Sequence, residues 1–398
     1  MKLAGDLGHL TYSTLVHPAD TWAQLWDSVN RYLPAVKRRV SPDSPFGVCL
    51  RLSPDSANTL TQRPEELAKL KAFLAENDMY VFTANAFPYG AFKGERVKEQ
   101  VYEPDWRTDA RANYTMRVAD VLAALAPADI RPSIQSPPLG YKPRVTGPEV
   151  VGAYTRQLHN VVAYLANLEA RTGRTVTLAI EPEPSCYLEL TSELIDYFTN
   201  HLYSSASIAE LSRMTGWSQA RCEILLREHL GAVYDICHQA VEYEDIPDSL
   251  ESLRSAGVPV FKLQPASALR IPKVTREIVE ALRAFDDPIY LHQTIQRFEG
   301  RLTQFVDLPE ALAAWEKTPL PCEWRIHFHV PVFLEDVNLF KTTRAAIAEA
   351  LAVHKARPLS AHIEIETYTW DVLPEKLKTG DIVDYVSREI EWVRDQLA

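Results

Sequence analysis

Short runs of β-branched and aromatic residues alternate along this chain with longer stretches in which apolar residues recur every three or four positions. The two periods separate strands from amphipathic helices. The first run is Gly8 to Val16, and Trp22, Leu25, Trp26, Val29 and Leu33 then share one face of a helix over Asp20 to Val36. Further runs predict strands at Phe46 to Leu52, Tyr80 to Ala84, Ile130 to Ser136, Val176 to Glu181, Gly231 to Asp235, Val258 to Leu263 and His362 to Glu366. Helical patterns lie near Pro64 to Glu76, Ala110 to Leu125, Pro148 to Arg171, from Gln239 past Leu250, Thr275 to Phe285 and Val383 to Gln396. Strand–helix alternation of this kind predicts a parallel sheet with crossover helices. Eight such units close an α/β TIM barrel, (β/α)8.

Two more strand-like runs, Ile289 to Ile295 and Trp324 to Val332, fall between the seventh and last strands. They read as an inserted strand pair on the catalytic face, with one of them serving as a barrel strand the alternative. The expectation is one TIM-barrel domain over residues 1–398, with insertions near 201–228 and 288–332. Ser207 to Leu226 has the outline of a helix-turn-helix with Gly216 at the turn. It sits between two barrel strands, however, and Arg213, Arg221 and Arg227 are offset by Glu210, Glu223 and Glu228. A broken crossover helix is the expected reading.

Composition narrows the function. A formal net charge of -11 weighs against nucleic acid, which favours a basic surface. The start of the chain lacks a signal-peptide pattern, and no uncharged stretch is long enough to span a membrane. Five scattered cysteines without a CxxC predict buried free thiols and a reducing cytoplasm.

The polar residues at strand ends carry the chemistry, because barrel active sites form there. Glu181 closes the run Val176 to Ile180, and Pro182 stops the strand. A carboxylate in that place needs a cation or a partner; an ion pair with a nearby base is the structural alternative. Glu183, one step further out, reads as a loop residue behind it. Asp235 ends its strand with His238 three residues on, as a ligand or as the cap of the next helix. Lys262 and Gln264 share one face of their strand; Lys262 could fix an oxyanion and Gln264 could bind a substrate hydroxyl or a metal. His327 and His329 share a face of the inserted strand, a pattern that suits metal binding or proton transfer. His292 is similar. His362, Glu364 and Glu366 share a face of the last strand, with Glu366 nearest the open end. His17 is a further candidate.

An ordered Glu, D-x-x-H, then E-T resembles the xylose isomerase-like barrel superfamily, which also holds endonuclease IV and sugar epimerases. The matching residues are Glu181, Asp235 with His238, and Glu366 with Thr367. More narrowly, the chain resembles the EboE family of metabolite-traffic proteins. That likeness rests on VSPDSPF from Val40, YDICHQAVEYE from Tyr234, Tyr290 to Gln293, His327 to Pro331 and HIEIETYTW from His362. It implies processing or export of secondary-metabolite precursors, with operon-encoded protein partners and a small-molecule metabolite as ligand. The third and fourth strand ends, Thr83 to Tyr89 and Ile134 to Leu139, supply no histidine for the endonuclease's trinuclear site.

The leading expectation is a divalent-metal isomerase or epimerase, with Mn²⁺, Zn²⁺ or Mg²⁺ as cofactor. Its metal ligands are Glu181, Asp235, His238, His329 and Glu366. Glu181, Glu366 and Lys262 are its catalytic groups, and Gln264, His292, Phe87 and Trp370 meet the substrate. A metal-dependent hydrolase with several ions and a non-catalytic metabolite carrier are the alternatives.

Overall fold

The computed structural model describes residues 1–94, 96–374, 378 and 380–398. Seven strands rise in turn: β1 (His9–Tyr12), β2 (Phe46–Arg51), β3 (Met79–Asn85), β4 (Ser133–Ser136), β5 (Thr177–Ile180), β6 (Leu230–Asp235) and β7 (Val260–Gln264). Six short strands follow: β8 (Ser267–Ile271), β9 (Thr294–Phe298), β10 (Arg301–Phe305), β11 (Glu323–Val330), β12 (Asp336–Val337) and β13 (Phe340–Thr342). β14 (His362–Ile365) then completes the parallel sheet in the order β1-β14-β7-β6-β5-β4-β3-β2. A single bridge from Ser13 to Cys49 joins its two ends, so the barrel is nearly closed. Helices run between successive strands and cover its outer face. Burial on both faces explains why β2, β4, β5, β6 and β14 hold no exposed residue.

Local chemistry starts these helices where the pattern places them. Thr21 accepts from the Gln24 amide, and the Gln24 side chain returns to the Thr21 amide, capping the helix Trp22–Val40. Leu25, Val29, Leu33 and Val36 of that helix are buried, and Lys37, Arg38 and Arg39 sit in its last turn, where the helix dipole favours cations. The helix expected from Gln239 past Leu250 is two helices, Ile236–Val241 and Ile246–Ser255. Tyr243 between them has a φ of 61°, which ends the first. The helix-turn-helix outline is a crossover between β5 and β6, Ser205–Thr215 and Gln219–His229, with Gly216 left-handed at φ 74°.

β8 to β13 form a separate antiparallel sheet in the order β10-β9-β11-β8-β13-β12. It begins before 288 and ends after 332, because β8 and β13 pair with each other and β8 with β11. Ile289 to Gln293, expected as strand, is loop; only Thr294–Phe298 pairs. All five cysteines are free and buried. Among the described residues, no helix is long and apolar enough to cross a membrane.

The inside of the barrel is polar, in layers set by strand alternation. The lower layer joins His362 Nδ1 to Ser133 Oγ at 2.8 Å and Ser133 Oγ to Thr83 Oγ1 at 2.8 Å. One step up, Lys262 pairs with Glu364 and donates to Gln135 Oε1 at 2.9 Å, while the Cys49 thiol meets Glu364 Oε1 at 3.1 Å. Two residues beyond Thr83, Lys262 and Glu364 come Asn85, Gln264 and Glu366, of which Asn85 and Glu366 form the floor of the pocket.

Candidate metal centre

Glu181, Asp235, Gln264 and Glu366 come from four consecutive strands of the barrel. Glu181 follows β5, Asp235 ends β6, Gln264 ends β7 opposite Asp235, and Glu366 follows β14. Carboxylate oxygens of Glu181, Asp235 and Glu366 lie within 4.8 Å of one another, all buried. Few donors serve them. Gln135 Nε2 donates to Glu181 at 2.6 Å and reaches Glu366 at 3.4 Å, and Asn85 Nδ2 donates to Glu366 at 2.8 Å. Burial first, then the repulsion of Glu366 and Asp235, pushes the Glu181 carboxyl well above its usual range. Burial, then Glu364 and Asp235, does the same to Glu366.

Asp235 serves two neighbours with one oxygen and leaves the other unpartnered. Oδ1 accepts from the Cys237 and His238 amides at 2.6 and 3.2 Å, capping the helix Ile236–Val241. Oδ2 is buried without a hydrogen-bond partner, and so is Oε1 of Gln264. Burial raises Asp235 to about 6, with His329 and the two amides opposing that rise. Buried, unsatisfied oxygens cost folding energy unless something binds them. Three crowded carboxylates and two orphaned oxygens therefore fit a divalent cation.

His238, His327 and His329 stand beside this group. Asp235, His238 and His329 offer ligand atoms within 4.8 Å of one another, so the five expected ligands fall into two groups that share Asp235. His327, left out of the expected ligand set, faces both other histidines. Burial lowers all three imidazoles below their ordinary value, His329 to about 4.

A pocket opens above these groups. Its walls include Phe87, Phe92, Tyr102, Tyr290 and Tyr368, and its polar lining includes Asn85, Gln135, Glu181, Glu183, His238, His327 and Glu366. Val97 and Lys98 amides donate to Ile289 O at 2.9 and 2.8 Å, and Lys98 Nζ pairs with Asp307 at 2.6 Å. These bonds tie the loop after β3 to the inserted segment across the mouth of the pocket. Glu183 lies on the wall, accepting from Tyr102 Oη at 2.8 Å.

Several expected residues sit elsewhere. Lys262 is wholly buried beneath the floor, held by Glu364 and Gln135, and does not line the pocket. Burial lowers its ammonium, but Glu364 outweighs that and holds it above its ordinary range. Gln264 is also absent from the pocket lining; its Nε2 is 3.3 Å from Gln135 Oε1. His292 lies behind β11, between Asp287 and the His327 carbonyl, and braces the wall instead of facing the cavity. Trp370 packs edge-on against Tyr385, with ring centroids 4.8 Å apart, outside the pocket. Phe87 does line it. His17 is a packing residue, stacked 4.0 Å from Tyr32 and bonded to Tyr12 Oη. Gln135, Asn85 and Gln293 were missed; each is an uncharged polar residue within or beside a strand, and the strand of Gln135, Ser133–Ser136, is itself mostly polar.

No family model and no curated protein matches the sequence. Solved structures do resemble the fold. A xylose isomerase-like TIM barrel protein from Mycobacterium smegmatis in complex with magnesium has a TM-score of 0.49 at 9% identity, over 100% of this chain and 98% of that one. A D-tagatose 3-epimerase-like protein has a TM-score of 0.48 at 12% identity, over 98% and 100%. The apo 3-keto-D-glucoside 4-epimerase from E. coli has a TM-score of 0.46 at 10% identity, over 98% and 99%.

Proposed function

We propose that this chain is a divalent-metal-dependent isomerase or epimerase of a sugar- or polyol-type metabolite. The convergence of Glu181, Asp235 and Glu366 at one end of the barrel carries this reading. An all-oxygen set, with Gln264 beside it, suits Mg²⁺ or Mn²⁺. When bound, the cation would polarise adjacent substrate oxygens. Glu181 and Glu366 belong to strands three places apart in the barrel and both line the pocket. A substrate carbon held between them could lose a proton to one carboxylate and regain it from the other. Gln135 bonds to both carboxylates and so orients them. The aromatic walls exclude water and offer apolar faces to a ring. The resemblance of its motifs to the EboE family supports a role for such a step in the processing or export of a secondary-metabolite precursor.

The test is exchange of substrate C–H for deuterium, read by NMR, on a panel of sugars and polyols with Mn²⁺- or Mg²⁺-loaded protein. Exchange on at least one compound is expected, falling 10²–10⁴-fold, roughly the share of one acid–base group, in Glu366→Gln. Metal-loaded protein that binds a panel member without exchanging any hydrogen would replace this reading with the metabolite carrier.

A further inference from the structure

His327 Nε2 lies 3.2 Å from His238 Nε2 and 3.1 Å from His329 Nε2. The other nitrogen of each ring is already committed. His238 Nδ1 meets the Pro182 carbonyl at 2.8 Å, and His329 Nδ1 meets the Glu366 backbone carbonyl at 2.5 Å. Carbonyls only accept, so both rings carry their proton on Nδ1. His327 Nδ1 meets Gln293 Oε1 at 2.8 Å. That amide is oriented by its own Nε2, which donates to the Pro184 carbonyl at 3.1 Å. Gln293 therefore presents oxygen, and His327 also carries its proton on Nδ1.

The His327 Nε2 lone pair thus faces those of both His238 and His329 inside the protein. One extra proton on His327 Nε2 can point at only one of its two neighbours, leaving the other short contact with a poorly aligned donor at best. A cation among the three answers all of them. A tetrahedron with metal–nitrogen arms of 2.0–2.1 Å has edges of about 3.3 Å, close to both contacts. A fourth arm is available from the orphaned Asp235 Oδ2, 3.7 Å from His238 Nε2, or from Cys237, whose sulfur is within 4.8 Å of the His327 and His329 ligand atoms.

We infer that His238, His327 and His329 form a second metal centre, built for an imidazole-preferring ion such as Zn²⁺ or Co²⁺ and distinct from the carboxylate centre. Two of its ligands ride on β11 of the inserted sheet, so the insertion completes the centre. Asp235 lies between the two centres. The inference does not depend on the reaction proposed above.

The experiment loads metal-free protein with Zn²⁺ or Co²⁺ and measures equivalents retained after desalting, with X-ray absorption of the zinc form. The expected wild-type result is imidazole scattering from several histidines and two equivalents of metal. His327→Gln should lose one of them, binding at least tenfold more weakly, while Glu366→Gln keeps it. Zinc scattering without imidazole, read on wild type and so independent of any variant's folding, overturns the inference. So does a His327→Gln protein that folds and binds like wild type. A single equivalent removed by His327→Gln but untouched by Glu366→Gln supports this centre and defeats the carboxylate one. A single equivalent lost only in Glu366→Gln does the reverse.

Discussion

The buried Lys262–Glu364 pair shows how a single residue can matter to this site without touching its pocket. Both side chains are wholly inaccessible, and their remaining contacts are Gln135 and Cys49. Removing one charge leaves the other unpaired in a low-dielectric interior, a change that costs about 3–5 kcal/mol. Lys262→Met is expected to lose that much in urea denaturation, and Lys262→Met with Glu364→Gln to regain most of it. Equal stability of the single and double variants would refute the ion pair. Gln135, which bonds Lys262, Glu181 and Glu366, carries any shift of the pair into the metal floor. Strand alternation in the sequence places Lys262 beside Gln264, and Glu364 beside Glu366, on their inward faces. It does not say that the lower member of each pair meets the other, because β7 and β14 are about a hundred residues apart in the chain and neighbours only in the sheet.

Among the elements, the segment after β3 forms much of the pocket roof, and Arg111 anchors it. This buried guanidinium donates to the Ala86 and Phe87 carbonyls at 3.0 Å each and to Pro104 O at 2.8 Å. It also lies against the Tyr89 and Tyr114 rings, at 5.6 and 5.7 Å from their centroids. A lysine has three donors but all on one nitrogen, without the planar fork that lets Nε and Nη1 reach separate carbonyls. Each carbonyl left without a donor costs about 1–3 kcal/mol. Arg111→Lys is expected to lower the melting temperature and to speed proteolytic cutting between residues 86 and 105. A variant as resistant as wild type would show that the roof is held from the insertion side alone. That second attachment, Lys98 to Asp307 and the Ile289 carbonyl, joins elements with no shared sequence signal. The inserted sheet was legible only in part: β9 and β11 have strand composition, whereas β8 is strand because β11 and β13 supply partners for it.

For the whole molecule, stability against pH has an identifiable contribution from the closing helix, Ile382–Leu397. Its Glu389 is buried and accepts from Thr367 Oγ1 at 2.7 Å and from the Val332 amide at 3.1 Å, joining the helix to the end of β14 and to the insertion. Burial raises this carboxyl to about 8 from 4.5, with both hydrogen bonds opposing the rise. The folded state therefore binds this proton more tightly than the unfolded state. The associated stability is full below pH 4.5 and is lost as pH rises to about 8, at up to about 1.4 kcal/mol per unit. Glu389→Gln should match wild type near pH 5 and exceed it near pH 9 in chemical denaturation. Parallel pH profiles for the two proteins would refute the shift.

What the sequence by itself determined is the barrel, the order of its strands and the acidic residues at their ends. Those follow from local causes: a two-residue period puts Glu181, Asp235 and Glu366 at strand termini, and caps such as Thr21 start helices in place. Only the tertiary structure decided which of the polar groups meet. The sheet order brings β5, β6, β7 and β14 together, and the insertion lays His327 and His329 against His238. It also moved Lys262, His292 and Trp370 off the pocket wall. Whether a buried histidine is a ligand or a brace depends on what each ring nitrogen faces. Those partners, Pro182, Gln293 and Glu366 for the triad, lie between 34 and 56 residues away in the chain, and only folding selects them.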